Sequence, residues 1–384
     1  MKKLVILADE SVLAGCARSG VAEVADSLAN AMTGDCEVSV VCPNGNEKFL
    51  QFSGNLRQYK DGVRTCRLFG VTYYAVSRKI WPDKAMELVD ELAPDIFHNF
   101  AAPELLESLS ARPGKCIYTI DQKDFVKDKA TSLSAYDAVT TVSEAYTQEI
   151  LGGGDELAET LAGMDFRGIT NGILYPAFQP EKGLLVEKKY SAEDLSGKAA
   201  CKKYLCEIYG LPEDKCIYLM MCRLVRDKGL DTVIESVHAI RDSGGFLLIV
   251  GKGDSEYEEK LCALTRDDGV LWLDKWASAL QSIPMLSGAD FYLSPSVTEP
   301  CGLMPMHAAR FGCIPIVTLS GGLKDNFDSE IAVVVGDGGM ETAITEAAEL
   351  YADQDALTAK RAACMNRDFS WASGKAGYLE VYDC

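Results

Sequence analysis

No apolar run in the sequence approaches the roughly 20 residues that a membrane-spanning helix needs. No C-x-x-C pair occurs among its 14 cysteines, and positive charge is short, with 38 Lys and Arg against 57 Asp and Glu for a formal net charge of −19. The first absence excludes a spanning helix, and the second argues against a zinc or disulfide framework. The third argues against nucleic acid as a partner and against docking on an anionic membrane through a broad basic face. A polyanionic ligand would therefore need a local basic pocket. The opening also lacks the order of a signal peptide, since the apolar run Leu4 to Ala8 is short and Asp9-Glu10 follows at once. Short-period repeats and low-complexity tracts are absent too, and nothing signals an oligomeric state. Cys42, Cys116 and Cys222 fall in apolar runs, where a free thiol behaves as a small hydrophobe. Reduced thiols in a cytoplasmic setting are the expectation.

At 384 residues the chain exceeds the size at which one core usually stops growing, about 250 to 300 residues, so two domains are expected. Short apolar runs alternate with helix-period segments throughout. The first half has Leu4–Ala8, Glu37–Cys42, Ile96–His98, Cys116–Ile120 and Ala138–Val142. The second has Ile217–Cys222, Phe246–Val250, Val270–Leu273, Phe291–Leu293, Ile314–Val317 and Ala332–Val335. Near-continuous apolar strands separated by helices read as parallel sheets covered on both faces, hence α/β with two doubly wound domains. The junction is expected at the turn-rich tract Gly168 to Gly172, followed by a polar stretch from Tyr175 to Lys203. Ligands of open α/β sheets gather at the carboxyl ends of strands, so two facing sheets would form a cleft.

The most informative segment runs from Leu293 to His307, L-S-P-S-V-T-E-P-C-G-L-M-P-M-H, with S-G-G-L-K-D following at Ser320 to Asp325. An apolar strand ends in a Ser/Pro turn, places Glu299 in a loop and opens a helix from Leu303 to Phe311. Free N–H groups at a helix N-terminus favour an anion, and Gly302 allows close backbone approach. The Gly321-Gly322 turn offers further N–H donors. Such a site suits a diphosphate with a carboxylate beside it; alone, a Glu-Pro turn also serves as a plain capped connection. Upstream, a buried strand runs into Arg223 and Lys228 and then a helix near Gly229. Two cations at a strand's carboxyl end can neutralise a diphosphate leaving group, or can simply be solvated on a loop. The opening strand leads through a loop containing Arg18 to a helix start at Ser19-Gly20, which suits a phosphate or a sugar hydroxyl, or an ordinary βα turn.

With those residues in hand, the chain resembles the bacterial glycogen and starch synthases, retaining glycosyltransferases of the GT-B fold. The resemblance rests on Tyr190 to Ala200, on C-R-L-V-R-D-K-G-L-D from Cys222, on T-E-P-C-G-L-M-P-M-H-A-A-R-F-G from Thr298 and on S-G-G-L-K-D, all in the family's order. Pro94 to His98, Thr140 to Ser143 and Gly168 to Gly172 fit in the first half. The segment Asp368 to Tyr382 looks like the family's last helix, which crosses back to the first domain. The resemblance implies residues 1–167 plus 368–384 as an acceptor-side Rossmann-like domain, and 168–367 as the nucleotide-sugar domain facing it across a cleft.

It further implies that Arg223 and Lys228 hold the donor diphosphate and that Glu299 meets the transferred sugar. Cys301, Gly302, Leu303 and Met304 would cap the phosphate, and Gly321 and Gly322 would shape the donor pocket. Asp231 and Asp325 would cap or orient their loops. No metal or other cofactor is implied, only a donor, ADP-glucose or UDP-glucose, and a glucan acceptor.

Three departures stand out. The family's K-T-G-G-L loop is Ala17 to Val21 here, without the lysine and with Arg18 as a candidate substitute. The family's histidine after the next motif strand, expected at the sugar's 6-hydroxyl, is Asp121, which could instead cap the helix Lys123–Phe125. Met304 replaces a threonine and removes a hydroxyl donor. The first half is also shorter than in typical members, where acceptor contacts lie. Transfer of glucose to the non-reducing end of an α-1,4-glucan is the leading reading. The alternatives are a GT-B transferase with another sugar or a small acceptor, and a catalytically weak nucleotide-sugar-binding regulatory protein.

Overall fold

A computed structural model describes residues 1–12, 20–44, 57–60, 62–100, 114–175, 178–183, 185–265, 269–275 and 279–383. The chain divides into two compact units: unit 1 is Met1–Leu174 with Ser370–Cys384, and unit 2 is Tyr175–Phe369. The division falls a few residues beyond the turn-rich tract expected to mark it. That tract is part of unit 1: Phe166–Gly168 extends its sheet, and a Cβ on Gly172 would sit 2.6 Å from the backbone of Ser370 and Trp371.

Among the described residues unit 1 is built on nine strands: β1 (Lys2–Ala8), β2 (Cys36–Pro43), β3 (Arg57–Lys60), β4 (Val63–Leu68), β5 (Val71–Val76), β6 (Ile96–Phe100), β7 (Lys115–Ile120), β8 (Ala138–Thr141) and β9 (Phe166–Gly168). Their order is β3-β4-β5-β2-β1-β6-β7-β8-β9. From β5 to β9 all neighbours are parallel, whereas β3 and β4 are antiparallel additions at one edge. Strands β3, β4, β5 and β9 have no counterpart among the apolar runs of the sequence. Strand β3 is exposed at all four residues and β4 is half polar, so neither reads as a buried strand. The β4–β5 turn uses Phe69 and Gly70, both at positive φ (49° and 87°), as two-residue hairpin turns of the right twist require.

The C-terminal segment is locked into unit 1 by a buried polar network. His98 on β6 is fully buried; its Nδ1 pairs with the Tyr382 hydroxyl and its Nε2 with Thr119 Oγ1 at 2.7 Å. Thr119 Oγ1 in turn meets Thr140 Oγ1 at 2.6 Å and the Tyr378 hydroxyl at 3.3 Å. Tyr378 and Tyr382 lie on and just after the helix Ala372–Val381, both with no exposed surface. Burial pushes the His98 imidazolium down to about 3, so the ring is neutral. The last helix is therefore an integral part of the first unit.

Unit 2 has β10 (Cys216–Met221), β11 (Gly245–Val250), β12 (Val270–Leu273), β13 (Phe291–Ser294), β14 (Ile314–Val317) and β15 (Val333–Val334). All are parallel, in the order β12-β11-β10-β13-β14-β15. Numbered by appearance this is 3-2-1-4-5-6, the doubly wound order whose direction of growth reverses between its first and fourth strands. Every residue of β10, β13 and β14 is buried, which is why the sequence shows them as unbroken apolar runs. At the amino-terminal side, buried Asp290 accepts from Lys202 Nζ (2.8 Å), Arg361 Nη2 (2.6 Å) and the Ile217 amide (2.9 Å). That carboxylate ties β10 and β13 together, leaving their carboxyl ends to carry loops.

Candidate functional site

The loops that leave β10 and β13 meet at the reversal of strand order in unit 2. After β10 the chain passes Cys222 and Arg223, forms a short helical turn Arg226–Lys228 and enters the helix Leu230–Glu235 through Gly229. Gly229 has φ 72°, and a Cβ there would stand 2.0 Å from the Pro295 carbonyl oxygen. Only glycine lets the two loops lie backbone to backbone. The Val297 amide accordingly donates to the Asp227 carbonyl at 2.8 Å.

This stitching brings Lys228 to Glu299. Lys228 Nζ donates to Glu299 Oε2 at 2.8 Å, with side chains 19% and 14% exposed. The pair is sheltered yet open enough to meet a ligand. Arg223 lies on the same loop and is exposed. Burial pushes the neighbouring Cys222 thiol up to about 12, so it stays protonated beside these charges.

Next to Glu299, Gly302 (φ 88°) caps the helix Leu303–Arg310, and a Cβ on it would meet Leu323 Cδ2 at 2.6 Å. Pro305, third in that helix, has no N–H, so the first turn presents the Leu303 and Met304 amides. Cys301 is buried, and its carbonyl accepts from Asn326 Nδ2 at 2.9 Å. The Gly322 amide donates to the Glu299 carbonyl at 2.8 Å. That bond holds the Gly321-Gly322 turn against the carboxylate loop, so the Gly322 N–H serves the loop's own shape.

Asp231, in the first turn of the helix Leu230–Glu235, bonds to the helix Ser255–Leu264. Its carboxylate accepts from the Tyr257 hydroxyl at 2.7 Å and from Lys260 Nζ at 3.3 Å, and these hydrogen bonds, Tyr257 first, hold its pKa below the usual carboxylate value. Asp325 is exposed in the short helix Leu323–Asn326. In unit 1, Gly20 opens the helix Gly20–Ala31, while Arg18 and Ser19 fall outside the described residues. Asp121 follows β7 and is half-buried. Gln122, not Asp121, holds the N-cap position of the turn Lys123–Phe125, without a side-chain cap bond to it, and the Lys123 amide donates to the Tyr146 hydroxyl at 3.0 Å.

The family described as "Glycosyl transferases group 1" matches residues 205–367, the stretch that carries every one of these unit 2 groups. Residues 205–367 are a group 1 glycosyltransferase domain. Around that domain, the chain is 36% identical over 279 residues to a glycogen synthase of Anaeromyxobacter sp. (strain Fw109-5), covering 68% of this chain and 58% of that protein. It is 34% identical over 270 residues to a glycogen synthase of Myxococcus xanthus, covering 64% and 54%. The chain thus spans somewhat more than half the length of these curated relatives. Among solved structures, the catalytic domain of starch synthase IV from Arabidopsis thaliana, bound to ADP and acarbose, matches with a TM-score of 0.85 at 22% identity over 100% of this chain and 99% of that one. HepE of Anabaena, in complex with UDP and glucose, matches with a TM-score of 0.71 at 13% identity over 100% of both chains. These likenesses establish the GT-B fold, with its two Rossmann-like units.

The glycosyltransferase domain also contains hydroxyl groups that sequence reading passed over. Ser296, Thr318 and Ser320 converge on the Glu299 loop. The sequence signal available for them was slight, a Ser-Pro-Ser turn and a Thr-Leu-Ser stretch just after β14.

Proposed function

We propose that the protein is a retaining glycosyltransferase that moves glucose from ADP-glucose or UDP-glucose to the non-reducing end of an α-1,4-glucan. The observation that carries this reading is the pairing of Lys228 with Glu299 at 2.8 Å beside the Gly302 helix N-terminus, at the strand-order reversal. Such a place gathers a cation, a carboxylate and free amides within one cup. The names of the relatives support glucan synthesis, and the ligands of the structural neighbours support a nucleotide-sugar donor.

In this reading unit 2 binds the donor and unit 1 serves the acceptor. The Leu303 and Met304 amides and the Arg223 and Lys228 side chains take the diphosphate oxygens. As the bond from the sugar's anomeric carbon to the phosphate oxygen breaks, those cations and N–H dipoles stabilise the charge that collects on the leaving group. The acceptor's 4-hydroxyl oxygen bonds to the same face of that carbon, and its proton passes to the departing diphosphate. Retention follows from this same-face attack without a covalent enzyme intermediate. Glu299 contacts the transferred sugar.

Because the neutralising charges are built into the chain, activity is expected to survive EDTA. Purified protein incubated with glycogen primer, each donor in turn and EDTA tests the reading. Chain elongation supports it; no elongation with either donor, or complete dependence on added magnesium or manganese, overturns it. A second reading, another sugar or a small acceptor, draws on Asp121. An ionised aspartate only accepts hydrogen bonds, whereas histidine can donate. Donor rankings of the wild type and Asp121→His separate the two readings: a shift in ranking makes Asp121 a reader of the sugar, and identical rankings and rates make it structural.

A further inference from the structure

We infer that Ser296, held in place by Thr318 and Ser320, is a positioning residue that aims Glu299, an assignment that rests on the transfer reading above. Ser296 is 2% exposed and lies three residues before Glu299. Its hydroxyl donates to Glu299 Oε2 at 3.1 Å, the same oxygen that receives Lys228 Nζ at 2.8 Å. Its carbonyl is pinned twice from the loop after β14, by Thr318 Oγ1 at 2.6 Å and by Ser320 Oγ at 2.8 Å. The Gly322 amide, two residues beyond Ser320, donates to Glu299's own carbonyl at 2.8 Å. The carboxylate is thus held by Ser296 and its backbone by the turn that holds Ser296.

Charge explains why two donors converge on one oxygen. A donor diphosphate competes for the Lys228 ammonium with more negative charge than Glu299 offers, and an ammonium has only three donors to share. The Ser296 hydroxyl carries no charge and is 2% exposed, so a diphosphate attracts it less than it attracts the ammonium. When Lys228 turns to the diphosphate, Ser296 keeps Glu299 in the rotamer that faces the sugar. Without it, a glutamate side chain with three rotatable bonds samples other directions at the moment orientation matters. Thr318 and Ser320 make no bond to Glu299; they act through the Ser296 carbonyl.

Ser296→Ala and Thr318→Val, with Thr318→Ser as the conservative control, test this in the intact protein. The measurements are kcat and KM for the active donor, affinity for ADP and UDP by titration, and thermal unfolding. In Ser296→Ala, kcat is expected to fall about tenfold, the effect of losing one orienting hydrogen bond in the transition state. ADP and UDP affinity should be unchanged. Thr318→Val is expected to lower kcat in the same sense, and Thr318→Ser, which keeps the hydroxyl, to restore it. Wild-type kcat in both Ser296→Ala and Thr318→Val overturns the inference. So does a fall in kcat accompanied by an equal loss of nucleotide affinity and a lowered melting temperature, the pattern of a merely structural serine. A wild-type protein that transfers from neither donor overturns instead the reading on which the inference rests.

Discussion

Replacing Gly229 with alanine probes how closely the two site loops must approach. The residue sits at φ 72° and ψ 26°, a left-handed conformation that costs an L-residue roughly 1 to 2 kcal/mol. The added Cβ would stand 2.0 Å from the Pro295 carbonyl oxygen and 2.8 Å from its carbon, where ordinary contact begins at 3.4 Å. Those are backbone atoms, so the clash is relieved only by moving the loops apart by more than about 1 Å. The bond from the Val297 amide to the Asp227 carbonyl, 2.8 Å, would open, at a further cost of about 1 kcal/mol. The combined destabilisation of unit 2 is about 2 to 3 kcal/mol. Lys228 is the residue before Gly229, and Glu299 lies four after Pro295, so the same movement separates the ion pair. A misplacement of about 1 Å at a catalytic constellation costs on the order of 10²-fold in turnover. Urea unfolding and steady-state transfer kinetics of Gly229→Ala read both effects. Stability within about 0.5 kcal/mol of wild type together with unaltered kcat would refute the claim that this glycine sets the loop spacing.

Other expectations follow from single groups. Arg223→Ala and Lys228→Ala should each lower turnover by about 10²-fold, as for loss of one donor to a developing anion, with ADP and UDP binding weakened in parallel; unchanged affinity in both contradicts a phosphate role. His98 makes unit 1 acid-sensitive. Its pKa is lowered from 6.5 to about 3 in the folded state, so the unfolded chain takes up a proton that the folded one does not as pH falls below 6.5. Stability is therefore present above that pH and lost between it and about 3. From pH 7 to pH 5 the loss is about 2 kcal/mol, and denaturant unfolding of His98→Gln should show a correspondingly smaller loss; equal losses in both proteins would contradict the assignment.

The sequence made the buried strands legible because strands covered on both faces carry unbroken apolar runs, as in β10, β13 and β14. The edge strands β3 and β4 escaped notice because solvent meets their side chains and no run forms. The ends of β10 and β13 could be read as a site because cations, carboxylate and glycine follow the strands directly. The grouping of Ser296, Thr318 and Ser320 could not, since hydroxyl-to-carbonyl bonds between loops some 22 and 24 residues apart leave no periodicity. The helix-cap reading of Asp121 failed on a single position: the residue that precedes the turn is Gln122, and the first amide of the turn is taken by Tyr146. Likewise, Gly321-Gly322 read as a source of free N–H donors, but the Gly322 amide closes onto Glu299.

Transfer by Glu299→Ala, measured beside its nucleotide affinity and its thermal unfolding, tests the central claim most directly. Glu299 lies in a loop, part-buried, and its side chain bonds Lys228 and Ser296. Its removal is expected to abolish glucosyl transfer while the protein stays folded and still binds ADP or UDP. Near-normal transfer by the folded variant would contradict a role for this carboxylate at the transferred sugar.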